Sequence, residues 1–301
     1  MEQLKSFKQL IQYLHRQSKR KRMVVVNPVD NHTQEALRMA LEQGVVQCIM
    51  VGNEEQLSQT VCANNYPENV EIIHFQDVEE AARHAVLMCR NGEADILMKG
   101  LINTDDLLRA VLDKQQGILP AGNVMTHISA VEIPGYDKLL FFSDAAVIPR
   151  PTVHQRIEII TYAINVCHQF GIEQPRIALT HFTEKVSAKF PISLDYVNIV
   201  ELAEAGEFGD VLIDGPMDVK SACEVKSAAL KGVASCIEGR ADVLIFPNIE
   251  SGNTFYKTVS LFTKAQMAGM LQGTMCPVVL PSRADSSESK FNSIAFAALC
   301  S

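Results

Sequence analysis

The stretch MVVVNPVDNHTQEALRMALEQGVVQCIMV, residues 23–51, contains the pattern that decides the fold class of this chain. Its two ends, residues 23–26 and 46–51, are short runs of β-branched and apolar residues, as buried strands are. The segment between them, residues 33–43, repeats its apolar residues at helical spacing. Strand, helix and strand in this order predict a βαβ unit with two parallel strands.

The same alternation continues to the end of the chain. Further strands are predicted at residues 70–75, 94–98, 128–133, 138–143, 176–181, 210–215, 242–247 and 277–281. Further helices are predicted at residues 78–90, 104–114, 153–170, 193–205, 217–232, 253–272 and 287–300. Because the strands read as apolar on both faces, the sequence predicts a mainly parallel sheet covered by helices, an α/β fold.

Length and composition place the chain among ordinary globular proteins. It has 301 residues, of which 47% are hydrophobic and 21% are charged, so two domains are expected. The segment 147–152 carries two prolines that disfavour helix, and we predict that the chain crosses between domains there. The apolar stripe before the basic run 19–22 is interpreted as a first helix of the fold rather than a transit peptide, because a strand follows at once.

Charge and cysteine usage limit the partners and the compartment. The formal charge of -8 argues against a nucleic-acid surface, which needs an excess of lysine and arginine. No apolar run approaches the roughly 18 residues that span a bilayer, so a membrane partner is not expected. The eight cysteines form no C-x-x-C pair, and most lie among apolar residues, so they are interpreted as reduced, buried thiols of a cytoplasmic protein. Neither zinc spacings nor the G-x-G-x-x-G and G-x-x-x-x-G-K-[ST] nucleotide motifs occur, so no metal is expected.

Polar and glycine residues follow several predicted strands directly, where ligands bind in open α/β sheets. The segments concerned are ILMKGLINT (96–104), LLFFSDAAV (139–147), IDGPMDV (213–219), FPNIESGNTFYK (246–257) and SRADSSESKFNSIAFA (282–297). In combination, these segments resemble the phosphate acetyltransferase and phosphate butyryltransferase family, over nearly the whole chain, and the butyryltransferase branch most.

The resemblance implies a reversible transfer of a short acyl group between coenzyme A and inorganic phosphate, for which butanoyl-CoA is the favoured substrate. It also implies two three-layer α/β/α domains similar to those of isocitrate and isopropylmalate dehydrogenases, with the active site in an interdomain cleft. The expected domains are residues 1–148 with 276–301, and residues 149–275. Acyl-CoA, phosphate and acyl phosphate would be the partners, coenzyme A a substrate rather than a bound cofactor, and the protein a homodimer or higher homo-oligomer.

The family's S-R pair falls on Ser282 and Arg283. A guanidinium matches the geometry of phosphate, so Arg283 is expected to bind the transferred phosphate, and Ser282 to donate to the oxyanion at the acyl carbonyl. Ser289 stands where the acetyltransferase branch has an aspartate that accepts the thiol proton, and a serine is a poor base. Either Asp285 or Glu288 takes that role, or solvent or the leaving phosphate removes the proton; of these, Asp285 is the residue expected.

Further residues of these segments are expected to bind phosphate or coenzyme A. They are Lys99, Gly100, Asp144, Asn248, Ser251, Gly252, Asn253, Lys257 and Ser286. For the segment 248–257 we expect a helix N-terminus that faces phosphate, with Ser251 as its cap. The alternatives without a role in binding are that residues 282–286 only form the capping turn of a helix and that Lys99 is only a solvated lysine at a strand end.

Three other functions stay open at this point. The first is acetyl rather than butanoyl specificity, because one methylene changes binding by only about 1 to 3 kcal/mol. The second is a protein that binds coenzyme A or acyl phosphate without turnover, since the acetyltransferase base is absent at Ser289. The third is a metal-dependent NAD hydroxyacid dehydrogenase, although Asp214, Asp218 and Asp242 lack the close spacing such a metal site needs. A covalent route through Cys276 has no histidine near it in sequence.

Overall fold

The structure is a computed structural model that describes residues 1–231, 234–282 and 284–301. The chain forms two compact units. Unit I comprises Phe7–Met125 and Gln266–Ser301, and unit II comprises Met1–Ser6 and Thr126–Ala265. Both units are mixed α/β structures, as the alternating pattern predicted.

Unit I contains a mainly parallel sheet with the strand order β3-β2-β1-β4-β11-β10. Only the pair β10 and β11 is antiparallel among these neighbours. The strands are β1 Lys21–Val26, β2 Val46–Gly52, β3 Val70–His74, β4 Ile96–Lys99, β10 Gln266–Gln272 and β11 Val278–Val279. The helices are α1 Phe7–His15, α2 Asn31–Glu42, α3 Glu54–Leu57, α4 Val61–Asn65, α5 Val78–Arg90, α6 Thr104–Val111 and α12 Ser287–Cys300. The central strand β1 is completely buried from Met23 to Val26, as a strand between two layers of helices must be.

Unit II contains the strand order β5-β6-β9-β7-β8, in which β5 and β6 are antiparallel and the other neighbours are parallel. The strands are β5 Thr126–Glu132, β6 Leu140–Ser143, β7 Arg176–Thr180, β8 Leu212–Met217 and β9 Val243–Ile245. The helices are α7 Val153–Gln169, α8 Pro191–Glu204, α9 Val219–Cys223, α10 Val225–Lys231 and α11 Ile249–Phe262.

The compact units part at different places from the predicted domains. The predicted breaks follow residues 148 and 275, whereas the units part after Met125 and after Ala265. Pairing explains both differences. β6 pairs with β9 and carries β5 into unit II, while β10 pairs with β11 and belongs to unit I.

Two predicted helices are wrong in part. The helix expected over 253–272 ends at Phe262, and residues 266–272 form strand β10 against β11. Its alanine and two methionines favour helix locally, but α12 packs on this segment, and burial decides the outcome. The helix expected over 217–232 is divided, because β8 extends to Met217 and the extended backbone of Glu224 separates α9 from α10.

Two further findings concern the membrane and the thiols. Within the described residues, every helix lacks either the length or the hydrophobicity that a bilayer crossing requires. All eight cysteines carry free thiols, and five of them are buried. Burial raises the pKa of the Cys48 thiol well above its usual range. Cys236 is exposed, so the expectation of burial does not hold for every cysteine.

A buried lysine ties the last helix of unit I to α2. The Lys290 side chain is 4% exposed, and its Nζ donates to Thr33 Oγ1 at 3.1 Å and to Asp30 Oδ1 at 3.4 Å. Asp30 is also the N-cap of α2, where its Oδ1 accepts from the Thr33 backbone N–H at 2.9 Å. Burial raises the pKa of Asp30, but the hydrogen bonds from Thr33 and the charge of Lys290 outweigh it and leave the pKa lowered.

This contact predicts a pH dependence of stability. Because the Asp30 pKa is lower in the folded protein than in the unfolded chain, its ionised form contributes stability above the ordinary carboxyl pKa of 3.8. That contribution is lost as the pH falls through the lowered folded pKa. We expect Asp30→Asn to reduce the free energy of unfolding at pH 7 and to flatten its decline below about pH 4. Urea titrations from pH 7 to pH 2 measure this, with exposed Glu68→Gln as control. An unchanged pH profile in Asp30→Asn would contradict the prediction.

Candidate functional site

The carboxyl ends of three neighbouring strands of unit I bring predicted site residues to one sheet edge. β1, β4 and β11 are parallel neighbours, and Val26 is level with Lys99 while Met98 is level with Val279. The segments that follow these strands therefore leave the sheet side by side. Lys99 is the last residue of β4 and Gly100 follows it, while the loop after β11 leads to Ser282.

Lys99 and Gly100 lie in a tightly packed turn. The Lys99 side chain is 5% exposed, and its Nζ donates to the Gly100 carbonyl oxygen at 3.4 Å. A Cβ at Gly100 would lie 2.3 Å from the Val26 carbonyl oxygen and 2.7 Å from that of Asn27, so only glycine fits there. Asn27 has a φ of 49° and donates through Nδ2 to the Leu101 carbonyl oxygen at 2.9 Å. Lys99 is thus a buried cation at the sheet edge and not a solvated strand end.

The loop before α12 places Ser282, Asp285 and Ser286 together. The Asp285 carboxylate accepts from the Ser282 backbone N–H at 2.7 Å, and the Asp285 N–H donates to the Ser282 carbonyl oxygen at 3.2 Å. The N-cap is Ser286, whose Oγ accepts from the Ser289 backbone N–H at 3.1 Å. Arg283 lies outside the described residues.

Unit II has an equivalent edge, because β6, β9 and β7 are parallel neighbours. Asp144 follows β6, Asn248 follows β9 after two residues, and His181 follows β7 directly. The substrate-binding residues predicted for this unit therefore collect at the carboxyl edge of its sheet, as they do in unit I.

Asp144 organises the loop after β6. Its buried carboxylate accepts five hydrogen bonds from unit II. Thr126 Oγ1 donates to Oδ2 at 2.8 Å, and the backbone N–H groups of His127, Ala146, Val147 and Ile148 donate at 2.8 to 3.3 Å. In the structure the Asp144 oxygens hold this loop in shape, and the binding of substrate by Asp144 stays a prediction.

The amino end of α11 packs directly against that loop. A Cβ at Gly252 would lie 2.2 Å from the Asp144 carbonyl oxygen, so the close approach requires glycine. Asn253 Nδ2 donates to the Ala145 carbonyl oxygen at 3.0 Å. Lys257, one turn later, is exposed and lies with its Nζ 4.9 Å from the centre of the Tyr256 ring.

The cap of α11 is Asn248 and not Ser251 as predicted. Asn248 Oδ1 accepts from both the backbone N–H and the hydroxyl of Ser251, at 2.9 and 2.8 Å. The prediction was wrong by three residues because Ser and Asn are both common at N-caps and the helix begins earlier than the sequence indicated.

A pocket of about 530 Å³ opens beside this helix end within unit II. The predicted residues Asn248 and Ser251 line this pocket. Four further polar residues, which were not predicted from the sequence, also line it: Arg150, Arg156, Thr180 and His181. Arg156 donates from Nη1 to Asp195 Oδ2 at 3.3 Å and from Nη2 to the Pro247 carbonyl oxygen at 3.0 Å. The two arginines lie in no recognisable sequence motif. His181, however, is the last residue of a predicted strand, and ligands bind at the carboxyl ends of strands in α/β sheets, so the sequence could have indicated it.

The described residues hold no cluster of three or more His, Cys, Asp or Glu side chains suited to a metal ion. The carboxylates of Asp144 and Asp285, at the two sheet edges, accept hydrogen bonds from residues of their own units. Asp144 accepts five hydrogen bonds, and Asp285 accepts from the turn before α12. The described cationic side chains at these edges are Lys99 in unit I and Arg150 and Arg156 in unit II, and such donors suit the oxygens of phosphate or of an acyl group.

Comparison with known proteins shows the family of the chain. The sequence profile of the family described as "Phosphate acetyl/butaryl transferase" matches residues 70–298. The chain is 36% identical to the phosphate butyryltransferase of Clostridium acetobutylicum over 297 residues, which cover 98% of each chain. It is 35% identical to the phosphate acetyltransferase of Thermotoga maritima, over 93% of this chain and 95% of that protein.

Solved structures give the same result. A branched-chain phosphotransacylase from Enterococcus faecalis superposes with a TM-score of 0.83 at 29% identity, over 93% of this chain and 98% of the other. A putative 4-hydroxythreonine-4-phosphate dehydrogenase from Salmonella typhimurium reaches a TM-score of 0.59 at 11% identity, which shows a shared fold alone. The family resemblance predicted a fold similar to that of a dehydrogenase, and this structural comparison supports that prediction. The chain belongs to the phosphate acetyl/butaryl transferase family, a family of acyltransferases.

Proposed function

We propose that this protein is a phosphate butyryltransferase that converts butanoyl-CoA and phosphate reversibly into butanoyl phosphate and coenzyme A. One observation carries the proposal. Ser282 and Asp285 lie in one loop before the amino end of α12, and this loop follows β11, the parallel neighbour of the strand that ends in the buried Lys99, in a chain similar throughout to phosphate butyryltransferases. Acetyl specificity is the second candidate, because relatives named for each substrate are almost equally similar.

In the direction of acyl phosphate formation, a phosphate oxygen attacks the thioester carbonyl, the C–S bond breaks, and the thiolate of coenzyme A leaves. Arg283 would hold the phosphate by two parallel hydrogen bonds. Ser282 Oγ accepts a weak hydrogen bond from the Ala284 N–H at 3.4 Å, so its own hydrogen is available to the oxyanion. No covalent acyl-enzyme is needed, because thiol and phosphate are themselves nucleophiles.

In the reverse direction the thiol of coenzyme A must lose a proton before or during its attack. Asp285 would accept it, because it is the carboxylate of the loop that carries Ser282. The Ser289 backbone N–H and Oγ are both engaged with Ser286, so Ser289 contributes to the helix cap instead. Lys99 and the α11 residues Asn248 to Lys257 would bind the anionic groups of the substrates.

We further propose a cytoplasmic homo-oligomer with coenzyme A as substrate and no resident cofactor. The free thiols support a reducing compartment such as the cytoplasm. The non-catalytic alternative makes the opposite prediction, namely tight binding of coenzyme A without turnover.

The test is release of free thiol from acetyl-, propionyl-, butyryl- and isobutyryl-CoA, each with and without phosphate. We expect release that depends on phosphate and that is fastest with a four-carbon acyl group. Fastest release from acetyl-CoA would replace the butanoyl assignment by the acetyl one. Coenzyme A binding without release from any thioester would favour the non-catalytic alternative.

A further inference from the structure

A histidine that the proposed mechanism does not use lies beside the helix that follows the loop of Ser282. His32 is the second residue of α2, and its side chain is exposed. Its Nδ1 and the hydroxyl oxygen of Ser287 are 3.4 Å apart, a long hydrogen bond in which either group can donate. Ser287 is the first residue of α12 and follows the cap Ser286 directly. The contact therefore joins the amino ends of α2 and α12 within unit I.

The backbone around His32 is held in place against α12. Lys290 Nζ donates to Thr33 Oγ1 at 3.1 Å and to Asp30 Oδ1 at 3.4 Å, and both acceptors are near neighbours of His32 in the chain. The Lys290 side chain is buried, so these bonds are shielded from water. The imidazole is thus carried by a fixed part of α2 and stands at a fixed end of α12.

The first turn of α12 leaves backbone donors free. Ser286 Oγ accepts from the Ser289 N–H at 3.1 Å. The N–H groups of Ser287 and Glu288, in contrast, have no acceptor within the part of the chain that the structure describes. The amino end of a helix carries a partial positive charge, and its free N–H groups suit the oxygens of a phosphate. His32 therefore lies at the end of α12 that attracts an anion.

The second ring nitrogen of His32 is available to a ligand. Nε2 has no hydrogen-bond partner among the described residues, whereas Nδ1 is engaged with Ser287. A protonated imidazole donates from both nitrogens, so Nε2 can donate to an acceptor outside the protein while Nδ1 stays on Ser287. Such a charge-assisted hydrogen bond to a phosphate oxygen would add to the donors of the helix end.

The charge of the imidazole is the one that changes near neutral pH. The other charged side chains on α2, on α12 and in the loop before it that surround this contact are Asp30, Glu35, Arg38, Arg283, Asp285, Glu288 and Lys290. Carboxylates, ammonium groups and guanidinium groups ordinarily titrate outside pH 6–8, and histidine within it. The elements α4 and β2, which also pack on α2, contribute only the thiols of Cys62 and Cys48, and burial raises the pKa of both.

We propose that His32 is a further phosphate-binding residue of this protein, whose protonated imidazole donates through Nε2 to a phosphate oxygen at the amino end of α12. The ligand is inorganic phosphate in one direction of the reaction and the phosphate group of the acyl phosphate in the other. The proposal rests on the proposed function, which places the phosphate at Arg283 in the preceding loop. The affinity for phosphate then falls as the pH rises and the imidazole loses its proton.

Sulfate is the probe for the test, because it stays a dianion between pH 6 and pH 8 while phosphate itself titrates there. Calorimetric titration at both pH values measures its Kd. We expect the wild type to bind sulfate about tenfold more tightly at pH 6 than at pH 8, since a hydrogen bond from a charged donor is the stronger one. His32→Gln should bind weakly, and His32→Arg tightly, at both pH values.

His15→Gln is the matched control, because His15 is also an exposed histidine of unit I and its Nδ1 lies 2.8 Å from the Gln43 carbonyl oxygen. This variant should keep the pH dependence of the wild type. An affinity of the wild type that does not change with pH, or a pH dependence that persists in His32→Gln, would overturn the proposal.

Kinetics separate phosphate binding from a merely structural role. At pH 6, His32→Gln should raise KM for phosphate by about tenfold and change KM for butanoyl-CoA by less than about twofold. An equal rise of both values would mean that His32 only shapes the end of α12, and it would refute the assignment. If the wild type forms no acyl phosphate, the proposed function fails, while the sulfate titration still decides whether His32 binds the anion.

Discussion

Replacing Arg283 by alanine is expected to lower kcat/KM for butanoyl phosphate formation by on the order of 10³-fold, the scale typical of losing a group that stabilises transition-state charge. The transferred phosphate carries its charge throughout the reaction, and the alanine variant would leave no bidentate donor for it. Arg283→Lys should restore only part of the activity, because an ammonium keeps the charge but cannot form two parallel hydrogen bonds. Steady-state kinetics at several phosphate concentrations measure both effects.

Arg109→Ala is the matched control. This arginine also belongs to unit I, its side chain is 70% exposed, and among the described residues its one ion pair is with Asp106 on its own helix. The circular dichroism spectrum and the thermal midpoint of Arg283→Ala should match those of the control. If Arg283→Ala keeps activity within about fivefold of the wild type, the assignment of the phosphate site to Arg283 is wrong.

Asp144→Asn is expected to reduce the free energy of unfolding by about 3 kcal/mol, because a buried acceptor that meets several N–H groups cannot be replaced by a donor without leaving some of them unsatisfied. Oδ1 accepts from Ala146 and Val147, and Oδ2 accepts from Thr126, His127 and Ile148. Whichever way the amide turns, its NH₂ group therefore faces at least one backbone N–H. Urea unfolding at neutral pH measures the loss.

Asp137→Asn provides the comparison, since Asp137 is exposed in the same unit. Surface substitutions of this kind usually change stability by less than about 0.5 kcal/mol. A loss in Asp144→Asn no larger than that would mean that the loop after β6 does not depend on the carboxylate. Because Asn253 and Gly252 pack on this loop, we also expect lower activity in the folded fraction of Asp144→Asn.

The periodic segments of the sequence were sufficient to predict most elements of the fold. The runs at 23–26, 46–51 and 176–181 became β1, β2 and β7 to within two residues, because strands buried on both faces require consecutive apolar residues. Strand β10 could not be predicted in this way. Its two methionines and its alanine favour helix, and its pairing with β11 and its burial under α12 make it a strand.

The sequence by itself determined the α/β class, the family and the strand ends where polar residues gather, because these depend on short-range periodicity and on motifs of adjacent residues. The contacts of the individual side chains were decided by the tertiary structure alone. It engages Asp144 in five hydrogen bonds, buries Lys99, places Lys290 on Asp30, and brings Arg150 and Arg156 to the pocket beside Asn248. These contacts join residues far apart in the chain, and their geometry follows from how the strands are ordered in each sheet, which local pattern does not encode.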